Sequence, residues 1–391
     1  MKKKLLYSVL VISLLLSACT VDISQSADPT ATVQAAPVTA APLQQPAKPP
    51  SSTMKIGNPS LPTSQIPVTW GSLHLTGTLV YMSSKETQST PIMSVQALDL
   101  ATGQITAIFQ APSGAWIDFI SVSPDEKQLL MAYLPPRDPN ATSSAAQQAL
   151  YTMPTDGSQS PQILFTPPSS NDQYYEPVWS PDGKYIYFAH VDYAAPPKVA
   201  GQHYPSYEIL RVTYPLSGQP QKVADGAYWP RLSADGARLA YVTLDPVDGT
   251  NKLFVANADG SGAYQVALNG LYVPQIIDAP FFTPDDKSVL YSAVSPTQPS
   301  QPNWVDKLFG ITEAYAHTVP SDWWSVPIGG GTPTQLTHIA AVGLYASLSP
   351  DKKYIASYSG NGVFVMNPDG TGSTTIVPDV GGLAGTVSWI P

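Results

Sequence analysis

Val178-Trp179-Ser180-Pro181-Asp182-Gly183-Lys184-Tyr185-Ile186-Tyr187-Phe188 places a turn signal between two apolar stretches, and the chain repeats it. Its relatives are Ser123-Pro124-Asp125-Glu126, Ser233-Ala234-Asp235-Gly236, Thr283-Pro284-Asp285-Asp286 and Ser349-Pro350-Asp351-Lys352. Each precedes an apolar run such as Leu239-Ala240-Tyr241-Val242 or Val289-Leu290-Tyr291. Serine first, proline second and glycine fourth fit a type I turn closed by a left-handed residue. Such a turn is a three-residue hairpin loop joining two strands. Glu126, Asp286 and Lys352 stand where the glycine would, which predicts left-handed strain at those positions.

A second hairpin follows in each unit, with turns at Ala101-Thr102-Gly103, Thr155-Asp156-Gly157, Leu216-Ser217-Gly218, Ala258-Asp259-Gly260, Gly329-Gly330-Gly331 and Pro368-Asp369-Gly370. Six of these stand against five complete first hairpins, so one first hairpin is divided between the chain ends. Gly77-Thr78-Leu79-Val80-Tyr81 supplies a second strand without a first, and Val387-Ser388-Trp389-Ile390-Pro391 a first without a second. Residues 386–389 are therefore expected to pair with residues 77–82. Runs such as 185–189 and 129–133 are almost continuously apolar, as strands covered on both faces should be. The prediction is an all-β chain over residues 70–391: a six-bladed β-propeller whose C-terminal strand completes the first blade and leaves no open edge.

The Trp-Ser-Pro-Asp-Gly-Lys block and its relatives resemble the repeats of the TolB-type β-propeller family, and related repeats occur in the propellers of dipeptidyl-peptidase and prolyl-oligopeptidase enzymes. The resemblance covers roughly residues 73–391 and implies a fold rather than a site, because the matched residues are scaffold. It also implies a periplasmic binding protein with a small extra domain ahead of the propeller. In that place this chain has a segment, 19–69, rich in Pro, Ala, Thr, Ser and Gln, which reads as a disordered tether.

Before the tether, Lys2, Lys3 and Lys4 precede a short apolar run from Leu5 to Leu16, then Ser17-Ala18-Cys19. A basic start, a short apolar core and small residues before the cut describe a signal peptide over residues 1–18. Leu16-Ser17-Ala18-Cys19 resembles the lipobox of bacterial lipoproteins, which implies lipidation of Cys19 and a membrane partner through that lipid. Cys19 is the only cysteine, so no internal disulfide can form. Cleavage would remove three lysines and no acid, moving the net charge from −9 to −12. That acidity argues against nucleic acid as a partner. Charged residues at 12%, aromatics at 10% and 41 prolines suit a turn-dense extracytoplasmic protein of the cell envelope.

Both stereotyped turns fall on one face of a propeller, leaving the second-to-third-strand and blade-to-blade loops on the other. Three of those loops are long, at residues 134–149, 191–206 and 295–321. Insertion on one face of a rigid scaffold marks a candidate binding surface. Candidate ligand contacts in blade-to-blade loops are Trp116, Tyr174, Tyr175, Tyr228, Trp229, Tyr272 and Tyr345, with Asp118 and Glu176 beside them. Rings of this kind stack on sugars or peptide side chains, or else seal neighbouring blades. Trp304 and Tyr315 belong to a helix-like apolar stripe in the third insertion, which either caps the propeller or meets a partner.

No Gly-x-Ser-x-Gly elbow, His-Glu-x-x-His pair, phosphate-binding loop or dinucleotide fingerprint occurs, so no catalytic residue and no cofactor is assigned. His74, His190, His203, His317 and His338 are scattered, and no metal site is assigned to them. Asp245, Asp248, Gly249 and Asn251 lack the spacing and closing glutamate of a calcium loop and read as turn residues. The leading expectation is a non-catalytic envelope lipoprotein that binds a protein or envelope polymer through its long-loop face. A carbohydrate-active lyase or hydrolase is the alternative, favoured if His203 or His317 meets Asp118 or Glu176 near the axis. A structural envelope component is a third.

Overall fold

The computed structural model describes residues 56–85, 91–136, 147–270, 276–294, 319–381 and 385–391. They form six antiparallel sheets arranged as the blades of a propeller. Blade 2 shows the plan: Trp116–Val122 lies innermost, followed outward by Gln128–Leu134, Ala149–Pro154 and Gln162–Phe165. The inner strands of blades 3 to 6 are Asp172–Trp179, Ala227–Leu232, Ile277–Phe282 and Tyr345–Leu348, each contacting the next around the ring. In blade 1 the inner strand is Val387–Ile390, from the other end of the chain. It pairs antiparallel with Thr78–Lys85, the expected partner strand, with Thr78 opposite Ile390 and Tyr81 opposite Val387.

The repeated turn owes its sequence to side-chain chemistry as well as backbone shape. In each of the five turns the leading hydroxyl donates to the aspartate two residues on, as from Ser180 to Asp182 at 2.7 Å and from Thr283 to Asp285 at 2.8 Å. That aspartate accepts the backbone N–H at the turn's end, Lys184 N at 3.0 Å. The serine oxygen accepts the N–H that opens the second strand, Tyr185 N at 2.9 Å. Glu126, Asp286 and Lys352 do adopt the left-handed conformation, at φ 64°, 56° and 60°.

Second strands are buried almost throughout, as in Gln128–Leu134 and Ile355–Ser359, because a blade lies on either side. Two of the second-hairpin glycines, Gly260 and Gly370, have a further role that turn geometry alone does not announce. A Cβ on Gly260 would lie 2.1 Å from the Val223 carbonyl oxygen, and one on Gly370 2.4 Å from that of Leu336. Each turn thus presses its backbone against the outer strand of the preceding blade.

One boundary shifts. Residues 56–69, assigned by composition to the tether, lie along the propeller instead. Thr63–Gln65 adds a fifth strand to the edge of blade 1 beside Gln104–Gln110. Gly57 N donates to Thr155 O at 3.0 Å and Asn58 N to Ala107 O at 2.8 Å. The added strand is exposed along its length. Main-chain hydrogen bonds hold it, so a forecast based on apolar burial passes over it.

Candidate functional site

Every inner strand begins at the long-loop face and descends beside the axis. Four residues before each turn serine or threonine stand Phe119, Glu176, Trp229, Ala279 and Tyr345, with Thr386 equivalent in the closing strand. Glu176, Trp229 and Ala279 have positive φ, at 53°, 58° and 46°, and each precedes a proline. The strand register breaks at these points. A left-handed residue with a side chain costs about 1–2 kcal/mol, and here it redirects inner-strand side chains. The recurring X-Pro at a fixed distance from the turn is the signal that could have located these bulges.

Rings of the inner strands meet one another. Phe119 packs edge-on against Trp229 at 5.1 Å between centroids, and Tyr345 lies 5.9 Å from Trp229 and 6.3 Å from Phe119. All three are buried in one apolar cluster. Tyr174 fits against Phe188 at 4.8 Å and Phe165 at 5.7 Å. The aromatics expected in blade-to-blade loops therefore sit within inner strands, because those strands start earlier than the turn spacing suggests. Trp229, Tyr345 and Tyr174 have their rings occupied by protein. Trp116 is 40% exposed, and Tyr175 and Tyr228 are half-buried. Tyr272, Trp304 and Tyr315 lie outside the described residues, as do Cys19 and most of the 134–149 and 295–321 insertions.

Three carboxyl groups gather around these rings. Glu176 accepts the backbone N–H of Trp229. Asp278 accepts the Trp229 indole N–H at 3.1 Å and the Tyr228 hydroxyl at 3.2 Å. Asn251 connects Tyr228 to the backbone of Ile277. Asp118 accepts from Gln148 Nε2 at 3.1 Å, and the Trp116 side chain lies near it. Burial pushes Asp118 and Asp278 up to about 7, against the pull of these donors. Burial also raises Glu176 well above the carboxylate range, helped by Asp278 and Asp118 and opposed by the Trp229 N–H and Arg231. The Arg231 guanidinium donates to Ala346 O at 3.2 Å and stacks 4.1 Å from the Tyr345 ring centroid.

A second network, not foreseen from sequence, links blade 3 to the 191–206 loop. His190 lies between Asp172 at 2.6 Å on Nε2 and Glu208 at 2.9 Å on Nδ1. Lys222 bridges Glu208 and Asp225, and Lys198 from the loop reaches Asp225 at 3.1 Å. Ionised carboxylates on both ring nitrogens require an imidazolium that donates twice. Burial would depress the His190 pKa, but hydrogen bonds to Glu208 and Asp172 outweigh it and raise it. The partners come from three strands, so no local motif marks the site. Among the described residues, no group of three or more His, Cys, Asp or Glu is arranged to hold a metal ion. Asp245 and Asp248 spend their oxygens on the N–H groups of Val247, Asp248 and Thr250, as turn residues do.

Neither a protein-family model nor a curated protein matches the chain. Solved structures do. TolB from Acinetobacter baumannii is similar with a TM-score of 0.53 at 16% identity, over 81% of this chain and 67% of that one. A putative TolB from Agrobacterium tumefaciens gives 0.49 at 16%, over 81% and 99%. An oligogalacturonate lyase in complex with manganese gives 0.44 at 12%, over 78% and 86%. In fold, the chain is a TolB-like six-bladed β-propeller.

Proposed function

We propose that the chain is a non-catalytic, extracytoplasmic lipoprotein, held to a membrane through Cys19, whose propeller binds a protein or envelope polymer on its long-loop face. One observation carries this reading. Of the nine large apolar side chains exposed among the described residues, five lie on that face: Trp116, Tyr193, Val199, Val247 and Ile339. Val68 and Leu216 lie toward the opposite face, and Ile163 and Tyr264 on outer strands. Apolar groups concentrated on one face are what an interaction surface requires. Catalysis at the axis is disfavoured because Glu176 and Asp278 are buried behind Phe119, Trp229 and Tyr345.

Replacing residues 295–321 with a short glycine-containing turn tests the surface. The blades should form, since the corresponding connection in blade 6 needs only residues 360–361. Circular dichroism should stay nearly unchanged while cross-linking in intact cells loses the native partner. Full retention of capture would move the site off this insertion.

The anchor has its own test. Cys19→Ser should leave the melting temperature of the head unaltered and abolish metabolic labelling with a radiolabelled fatty acid. Undiminished labelling would remove Cys19 from the account.

A further inference from the structure

A half-buried carboxyl group, Asp118, lies near Trp116 and Tyr175 at the long-loop end of the axis, and Tyr193 adjoins Tyr175. Asp118 sits at the bulge of the blade 2 inner strand, with the Trp116 side chain close enough to favour its charged form. Gln148 fixes the other side of Asp118 and ties it to blade 3 through Tyr174 O at 3.1 Å. Tyr175 is close enough to feel the Asp118 charge, and its hydroxyl meets that of Tyr193 at 3.0 Å. Tyr193 is 51% exposed.

Carboxyl groups outnumber cations here. Asp118 and Asp278 both act on Glu176, and Arg231 is the cation set against them. Arg231 is already engaged by Ala346 O and the Tyr345 ring on the buried side. Aromatic faces beside a poorly solvated carboxyl group attract an organic cation, through the ring quadrupole and through charge. A lysine or arginine stem can also lie along an exposed indole. The chain's formal net charge of −9 steers basic partners toward it.

From this juxtaposition we infer that Trp116, Asp118, Tyr175 and Tyr193 form a receptor for a lysine or arginine side chain on a basic segment of a partner protein. This deepens the long-loop-face reading and rests on it. Burial pushes the Asp118 carboxyl up to about 7, with Glu176 and Tyr175 facing it across the blade interface and Gln148 and Trp116 within its own blade. A cation seated there favours the ionised carboxylate, so binding strengthens as pH rises through that value.

The test is calorimetric titration of the full chain in detergent with acetyl-Gly-Lys-Gly-Lys-Gly-amide, at pH 6 and pH 8. The same peptide with norleucine for lysine is the comparator. The lysine peptide should bind up to about ten-fold tighter at pH 8 than at pH 6, as expected for a carboxyl group ionising between them. Trp116→Ala and Asp118→Asn should each weaken it roughly ten-fold, and Asp118→Asn should flatten the pH dependence. Undetectable binding, equal binding of the norleucine peptide, or an unaltered pH profile in Asp118→Asn would overturn the inference. So would equally tight, pH-independent binding of neutral cellohexaose at the same residues. Native-partner capture from the long-loop face that survives both substitutions would also overturn it, while leaving the face reading standing. Capture confined to the opposite face would overturn both.

Discussion

Truncation after Val380 should abolish the cooperative melting transition and leave soluble aggregates on size-exclusion chromatography. The truncation removes the inner strand of blade 1, in which Val387, Trp389 and Ile390 are all buried. At about 1.5–3 kcal/mol for each large apolar side chain, their loss is on the order of 5 kcal/mol or more. Whole domains are stable by only about 5–15 kcal/mol. The strand also fastens its blade to both neighbours. Thr386 Oγ1 accepts from Ile120 N at 2.9 Å in blade 2, and Trp389 N donates to Ser347 Oγ at 3.1 Å in blade 6. Its removal exposes the edge of Thr78–Lys85, which invites pairing with another chain. A truncated protein that stays monomeric and melts like the parent would rule out closure of the ring by this strand.

Thermal stability should be greatest at mildly acidic pH and fall steadily toward pH 8–9. The carboxyl groups of Asp118, Glu176 and Asp278 have folded pKa values raised above their ordinary range. The folded state then holds protons that the unfolded chain has released, so stability declines as pH rises from about 4 through 7. His190 acts in the same direction. Its raised folded pKa gives stability that is complete below 6.5 and lost as pH passes the folded value. Turn aspartates such as Asp182 and Asp235 are held low by their hydrogen bonds and by nearby lysine or arginine charges. They act oppositely, but only as pH falls below the carboxylate range. Each tenfold change in acidity corresponds to about 1.4 kcal/mol, so the interior groups together move stability by several kcal/mol. Calorimetric scans from pH 4 to 9 should show the decline, and Glu176→Gln with His190→Gln should make it shallower, Asp118 and Asp278 supplying the remainder. A melting temperature that climbs from pH 5 to 8 would contradict the buried-carboxyl geometry.

Much of the architecture was legible because the turn chemistry is local. Ser180, Asp182 and Gly183 are needed within a few residues of one another, so the motif repeats intact and counts the blades. The split first hairpin was equally readable, since Trp389 and Pro391 align with Trp179 and Pro181. Thr63–Gln65 was not, because an edge strand held by main-chain hydrogen bonds leaves no apolar signature. The axis was half legible. Trp229, Tyr345 and Glu176 stood out as candidates, but sequence spacing assigned them to loops, and the left-handed bulges at Glu176 and Trp229 were not foreseen. His190 carried no mark at all, because Asp172 and Glu208 reach it from neighbouring strands.

The two faces can be compared directly in cells. A photo-reactive amino acid placed singly at Val199, Val247 or Ile339 samples the long-loop face, and at Asp182, Asp235 or Asp351 the turn face. A discrete cross-linked adduct is expected from the first three positions and none from the last three, at equal expression. Adducts arising only from the turn positions would contradict it.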